Sequence, residues 1–483
     1  MNNSKKVNLY KKLSKAPKLT LVLALSLASS SIALAQTDEI LAQNLPQLLV
    51  QSDDQYVAST SDTIDNLPLA LASLFDKNPE LEFEQQKLLQ SCANLEVSRS
   101  EWFPTLNLKG TTGNKQTSTA LASGNNNYDD SSLEFRANVF NGFETSNRWS
   151  SAKTKLARDQ LRFSRKVQDK MYQLVSTYIE VQRSHKDYQT ILLARDRLGD
   201  SLNKVRSQQI EGRLAVLAVT RLESRFLLIE NQLFEQFKQN KAAQNSFYEI
   251  TGQIPAPELE EIAPYPGFNA ASLSEQTLKS LLELAKNHPL SMEAGLLKKI
   301  RLHEREAVNA GYYPKVDLIY SYGVNNNTNG SVNTPGSSQT DSVVLLQASL
   351  NLFNGFATQQ RFKAATYAEE GANYALHDVN NRITRKVTDA WQDLHLSTQN
   401  LSSAKRNEKA GQQTYLLYKE LILNGRSTQA ELANVIEEWM RASIQLNKLE
   451  YGTLLASYRL AYDVGKLAYA NSDVTFTGQR CEK

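Results

Sequence analysis

The feature that most constrains this chain is an internal duplication. Val139-Phe140-Asn141-Gly142-Phe143 returns as Leu352-Phe353-Asn354-Gly355-Phe356, 213 residues on from Phe140 to Phe353. Upstream, Trp102-Phe103-Pro104 answers to Tyr312-Tyr313-Pro314. Downstream, Glu211-Gly212-Arg213 answers to Asn424-Gly425-Arg426. A period above 200 residues is too long for a solenoid unit. It marks two structurally equivalent halves, so any fold proposed for one must also serve the other.

Each half carries the same order of patterns. A helical period begins near Leu67 and is punctuated at Asn78-Pro79, because the residue before Pro avoids the α region and Pro suits the first turn of a new helix. His288-Pro289 does the same in the second half. At Pro104 and Pro314 the period changes to two. Leu106 and Leu108 share one face, as do Val316, Leu318, Tyr320 and Tyr322. Segments 113–131 and 323–341, rich in Gly, Asn, Ser and Thr, read as loops. Each returns as a second strand, 133–140 or 344–353. The polar faces of these strands are Glu134, Arg136 and Asn138 in one, and Gln347, Ser349 and Asn351 in the other. Aromatics gather at one end of each hairpin: Trp102, Phe103, Phe140 and Phe143, then Tyr312, Tyr313, Phe353 and Phe356.

From about 146 to 209 and from about 358 to 423 there is no Pro. At ~1.5 Å per residue each stretch would span roughly 90–95 Å as helix. The apolar stripe is narrow (Val167, Met171, Leu174, Tyr178; Ile383, Val387, Trp391), nearer a coiled-coil seam than the face of a globular-core helix. Gly212 and Gly425 then stop the helices, and the chain turns back through 214–252 and 428–467. Two long helical hairpins of this kind make a tube or stalk.

The N-terminus sets the compartment. Six lysines without an acid precede an apolar run and an Ala33-Leu34-Ala35 cleavage pattern, the form of a secretory signal peptide. Without residues 1–35, Lys plus Arg falls from 54 to 48 against 51 acidic residues, a net charge of −3. The basicity therefore belongs to the signal, and nucleic-acid binding loses its support. An oxidising compartment permits Cys92 and Cys481 to pair. No later stretch approaches the ~18–20 apolar residues of a membrane helix. The strands leave two readings, a soluble hairpin packed on a helix or a lipid-facing barrel wall. Aromatics at one level favour the wall. Four strands cannot close a barrel, and open edges in lipid leave backbone groups unpaired, so several chains would have to share one.

These duplicated motifs resemble the TolC-like outer-membrane efflux proteins, over nearly all of the chain after the signal. The resemblance implies a mostly α protein with a β-barrel part. Its halves are duplicated helix-strand-strand-helix units, assembled as a homotrimer with a 12-stranded transmembrane barrel and a long periplasmic α-helical barrel. The expected organisation is signal peptide 1–35, extended lead-in 36–65, first repeat 66–255, linker 256–270, second repeat 271–470 and tail 471–483. The expected location is the outer membrane, reaching into the periplasm. The implied partners are outer-membrane lipid, a periplasmic membrane-fusion adaptor and an inner-membrane pump, ABC-type or proton-driven.

The same resemblance places adaptor docking at Gly212, Arg213, Gly425 and Arg426. The family's two acidic aperture positions fall on Glu431 and Asn434, so one acid is retained, and like charges around a threefold axis are expected to raise the pKa of Glu431. Ala218 stands where relatives can carry an acid that pairs with the tip Arg. No cysteine follows the apolar run, which favours type I protein secretion over a lipidated multidrug-efflux factor. A periplasmic coiled-coil adaptor explains the helices but not the strands. A secreted helical enzyme lacks a catalytic constellation. No metal or cofactor is expected, because the five histidines have no His or Cys partner three or four residues on.

The strand reading is directly testable. Leu346→Arg or Leu350→Arg is expected to impair outer-membrane assembly by ~2–4 kcal/mol near the bilayer midplane, measured as the fraction of protein in heat-modifiable oligomer. Normal assembly of both variants would reverse the facing of the strand.

Overall fold

The computed structural model describes residues 63–119, 122–268, 275–329 and 337–467. The expected signal peptide, most of the lead-in, the tail 471–483 and Cys481 lie outside the described residues. The first half consists of β1 (Thr63–Ile64), α1 (Leu67–Lys77), α2 (Pro79–Ser100), β2 (Thr105–Thr119), β3 (Ala122–Phe140), α3 (Glu144–Ile210) and α4 (Val216–Thr251). A short β4 (Ile254–Pro255) follows. The second half repeats the order as α5 (Glu275–Ala285), α6 (Pro289–Asn309), a 3-10 turn (Ala310–Tyr312), β5 (Lys315–Asn329), β6 (Ser337–Ser349), α7 (Ala357–Leu423) and α8 (Gln429–Asp463).

Local chemistry explains the breaks. Asn78 accepts hydrogen bonds from the N–H groups of Glu80 and Leu81 at 3.1 and 3.2 Å, capping α2 above Pro79. Its amide donates to the Ile250 carbonyl at 3.0 Å, tying this elbow to the end of α4. In the second half His288 takes the role of Asn78, its Nδ1 accepting from Leu290 N–H at 3.1 Å. Strand passes to helix through Gly142 and Phe143 (φ +68 and +67) and through Gly355 and Phe356 (both +66). Asn141 and Asn354 cap these turns identically, each amide donating to the hydroxyl of Thr145 or Thr358 at 2.7 Å.

The long helices α3 and α7 have 67 residues each, about 100 Å at 1.5 Å per residue. Each is flanked near the sheet by α2 or α6 and, beyond, by its return helix α4 or α8. Buried positions recur at steps of three and four, Met171, Leu174, Tyr178 and Val181, then Ile191, Ala194, Leu198 and Leu202, close to the spacing of a coiled-coil seam. Ile383 and Val387 are buried in α7 and Trp391 packs beside them. Ion pairs stitch neighbouring helices: Lys155 with Glu304 at 2.7 Å, Arg165 with Glu293 at 2.6 Å, and Arg305 with Glu369 at 2.7 Å.

Two connecting segments are held by specific contacts. The end of the lead-in is strand, with Thr63 and Ile64 pairing in parallel with Ile254 and Pro255. Segment 256–268, read as part of a linker, is fastened to the helices: Tyr178 Oη donates to Glu260 O at 2.7 Å, and Tyr458 Oη to Ala263 O at 3.0 Å. Connections with no periodicity of their own are held here by tyrosine hydroxyls from coiled-coil faces.

Beside this belt lies a polar knot in which Arg165 bridges Glu293 and Asp169, and Tyr462 donates to Asp169 at 2.7 Å. Burial, together with the Lys386 and Arg165 charges, pushes the His288 imidazole down from its ordinary 6.5 to about 4. The unfolded chain therefore takes up the proton first. Stability from this group is complete above pH 6.5, falls as pH drops through that value and levels off below about 4. His288→Asn, which keeps a capping oxygen and does not titrate, is expected to remove this component. Urea unfolding of both proteins between pH 7 and pH 4 measures the difference, and identical slopes would show that folded and unfolded chains take up this proton alike.

Candidate functional site

The residues expected to bear function fall in two regions, the sheet and the helix tips. The sheet is four-stranded and antiparallel, in the order β2-β3-β5-β6. Directly paired residues share a face, so Leu106, Phe135, Tyr320 and Val344 form one cross-strand row. Ala137, Leu318 and Leu346 form another. This apolar face is bare: Leu108 is 82 % exposed and Leu346 71 %. The opposite face holds Glu134 beside Ser321, and Asn138 beside Asp317 and Gln347. Arg136 reaches Glu134 at 3.1 Å and Asp317 at 3.6 Å, and Asn138 donates to Asp317 at 2.9 Å.

Five of the six residues expected on the polar face thus lie in strands on that face, Ser349 closing the set opposite Lys315. Asn351 does not, because β6 ends at Ser349. The face is also not uniformly polar, since Val343, Ile319 and Leu345 take places in it. The expected loops 113–131 and 323–341 are largely strand, with β2 and β3 running 15 and 19 residues. A tilted membrane strand needs only ~9–11. Beyond the apolar alternation the backbone ladder continues through residues that are mostly Asn, Ser, Thr and Gly.

The eight aromatics cluster where sheet meets helices. Phe140 packs edge-on to Phe143 at 5.5 Å and Phe353 to Phe356 at 5.4 Å. Trp102, Phe103, Tyr312 and Tyr313 stay about half exposed or more.

At the far end, both tips are the same backbone device. Gly212 N–H reaches Gln209 O at 2.9 Å and Arg213 N–H reaches Gln208 O at 2.8 Å. Gly425 and Arg426 do the same to Ile422 O and Leu421 O at 3.0 and 2.9 Å. With φ at +73 and +67 on the glycines, each is a Schellman stop. Arg213 pairs with Glu211 at 3.2 Å in open solvent, and Arg426 is exposed. Ile210 and Leu423, 82 % and 81 % exposed, add an apolar surface at the tips that the Gly-Arg motif did not announce.

Glu431 and Asn434 are exposed on the first turns of α8. The single chain gives Glu431 a role the sequence reading missed. Thr428-Gln429-Ala430-Glu431 is a capping box: the carboxylate accepts from Thr428 N–H at 2.9 Å and from Ser427 Oγ at 2.6 Å, while Thr428 Oγ1 accepts from Glu431 N–H at 3.3 Å. The Ser427 hydroxyl, then the Thr428 N–H, hold this carboxyl below its usual range in the single chain. The T-x-x-E spelling was there to be read.

A second feature went unread. Arg197 of α3 lies over the rings of Trp439 at 4.1 Å and Tyr415 at 4.5 Å, and Trp439 Nε1 donates to Glu408 at 2.8 Å. With Arg225–Glu437 at 3.1 Å, this clasp holds the two hairpins together above the tips. Among the described residues, no helix is apolar enough to cross a membrane, and no group of His, Cys, Asp and Glu is arranged to hold a metal ion.

Residues 283–465, most of the second half, match the outer membrane efflux protein family. No curated protein matches the sequence. Among solved structures, the chain is similar to the outer membrane protein VceC from Vibrio cholerae (TM-score 0.70, 13 % identity, covering 83 % of this chain and 96 % of that one). It is similar to the CmeC outer membrane channel of Campylobacter jejuni (TM-score 0.71, 11 % identity, 83 % and 85 % covered). A third is the open state of the Neisseria gonorrhoeae MtrE outer membrane channel (TM-score 0.62, 12 % identity, 83 % and 88 % covered). The second half thus carries the signature of outer membrane efflux proteins, and the chain as a whole has the fold of these outer membrane channels.

Proposed function

We propose that this chain is the outer-membrane channel of a tripartite export system. Three copies pool their sheets into one 12-stranded barrel and their long helices into a periplasmic tunnel. An inner-membrane pump, ABC-type or proton-driven, supplies energy and cargo through a membrane-fusion adaptor that docks at Gly212, Arg213, Gly425 and Arg426. Type I protein secretion is favoured over multidrug efflux, on the lack of a lipidation cysteine near Ala35.

The observation that carries this reading is a four-stranded sheet whose outer strands, β2 and β6, each lack a neighbour on one side while one face is bare leucine and tyrosine. Lipid tolerates neither open edges nor an isolated sheet. Two copies would give eight strands, whose interior side chains fill. Three leave a lumen, lined by Glu134, Arg136, Asn138, Gln347 and Ser349. The aromatics, Trp102 to Phe143 and Tyr312 to Phe356, sit at the lipid boundary. Glu431 and Asn434 face the aperture, three carboxylates favouring cations.

Single-channel conductance in planar bilayers tests the pore and its constriction together. Wild type is expected to give discrete, cation-preferring steps. Glu431→Gln removes the charge and keeps a capping side chain, and is expected to lose that preference, as Glu431→Lys does. Thr428→Ala breaks the cap at a cost of about 1 kcal/mol and is expected to leave selectivity intact. Selectivity unchanged in both Glu431 variants would move the constriction elsewhere. A monomer that gives no steps would overturn the channel and favour a periplasmic coiled-coil scaffold.

A further inference from the structure

The duplication gives the chain two exits from a return helix. In the first half, α4 stops at Gly252 (φ +69), and the segment that follows is fastened across the helices by the Tyr178 and Tyr458 hydroxyls. The exit from α8 is built the same way. Gly465 has φ +76, its N–H reaches Tyr462 O at 2.8 Å, and Lys466 N–H reaches Ala461 O at 2.9 Å. Lys466 O then accepts from Tyr265 Oη at 2.9 Å. Leu467 is buried in the same core as Leu81, in the first turn of α2. The root of the C-terminal tail is therefore pinned at the belt, in one core with the start of α2.

Cys92 lies in the middle of α2 and is disulfide-bonded; among the described residues no cysteine is free. The sequence holds one other cysteine, Cys481. The counterpart of Cys92 in the second half, 210 residues on, is Leu302, so the thiol replaces an apolar residue in one half only. Leu88, Leu89 and Leu95, three or four residues away, are the neighbours of Cys92 on the helix surface. Leu88 and Leu95 are half-buried and Leu89 is exposed. From Leu81 to Cys92 the helix rises about 17 Å. The 14 residues from Leu467 to Cys481 can span about 46–50 Å when extended, so the tail covers that distance with length to spare.

We infer that Cys481 is the partner of Cys92, and that residues 468–483 form a second strap laid along α2 from the belt. The first strap is closed by hydrogen bonds and this one by a covalent bond. Val474 and Phe476 alternate with Thr475 and Thr477, which gives an extended tail one apolar face to set on Leu88, Leu89 and Leu95. The bond needs an oxidising compartment, which the export signal supplies, and it forms by two exchanges. One cysteine thiolate attacks the disulfide of a periplasmic dithiol oxidase and displaces one of its sulfurs as thiolate. The second cysteine thiolate attacks the mixed disulfide, making the bond between Cys92 and Cys481 and releasing the oxidase as a dithiol. Two protons leave the chain and the oxidase takes the two electrons. The strap joins the end of the second half to the short helix of the first, so reduction frees the tail without touching the coiled-coil seams.

The bond is tested on the full chain, extracted from outer membranes with free thiols alkylated and digested with trypsin without reductant. The expected product is peptide 88–99 joined to peptide 481–483, split by reductant and missing from both Cys92→Ser and Cys481→Ser. The denatured, unreduced protein is expected to run as a single chain. Alkylation of both cysteines in wild type, or chains linked to one another, would overturn the pairing. Docking of the tail is read separately, by limited chymotrypsin cleavage after Phe476 in the folded protein. A segment tied at both ends opens to a protease less often. Cleavage is therefore expected to be several-fold faster in each serine variant and in reduced wild type, and equal among the three. Variants cut at the rate of oxidised wild type would leave a disulfide without a strap and overturn the docking. Either failure leaves the channel reading standing.

Discussion

The constraint on which the rest of the molecule depends is that backbone polar groups in hydrocarbon must find partners within protein. One chain of this protein supplies four strands and satisfies only the inner ones. Its two outer edges and its bare leucine face are left without partners in the single chain, and these are what the proposed ring of copies would close. The helical part has no comparable difficulty, since its backbone is paired internally and its seams are narrow.

That division explains where stability is stored. The helices are stapled at the belt by caps, tyrosine hydroxyls and inter-helix ion pairs, and below it by the coiled-coil seam and the Arg197 clasp. All of these contacts lie within one chain, so the helical hairpins are held without help from a neighbour, while the sheet keeps two edges without a partner. The turns between the two parts are rigid, with left-handed Gly and Phe side by side and an Asn cap beneath, so the angle between strand and helix is set locally in each half.

Much of this architecture was legible. The helix breaks at Asn78-Pro79 and His288-Pro289, the change of period at Pro104 and Pro314, and the glycine stops all follow from local stereochemistry, and the structure has each where the spelling puts it. The segments read as loops were strands because alternation reports an apolar face and not strand as such, and backbone pairing continues where the sequence turns to Asn, Ser, Thr and Gly. Asn351 was misplaced because alternation ignores whether a neighbouring strand exists. The Glu431 carboxylate was read for its charge alone, although Thr428 three residues earlier spelled a cap. Nothing in Arg197, Tyr415 or Trp439 taken singly predicts that they stack, since they come from three helices far apart in sequence.

The two helix tips share one backbone geometry yet differ in side chains, Ala218 standing six residues after Gly212 where Glu431 stands six after Gly425. In a ring of three copies the tunnel end would be sixfold in shape and threefold in charge. Half of the tips can then be tuned for what passes while the other half keep the geometry that lets the ring close. A duplicated gene thus separates filtering from fit, a freedom that six identical subunits would not have.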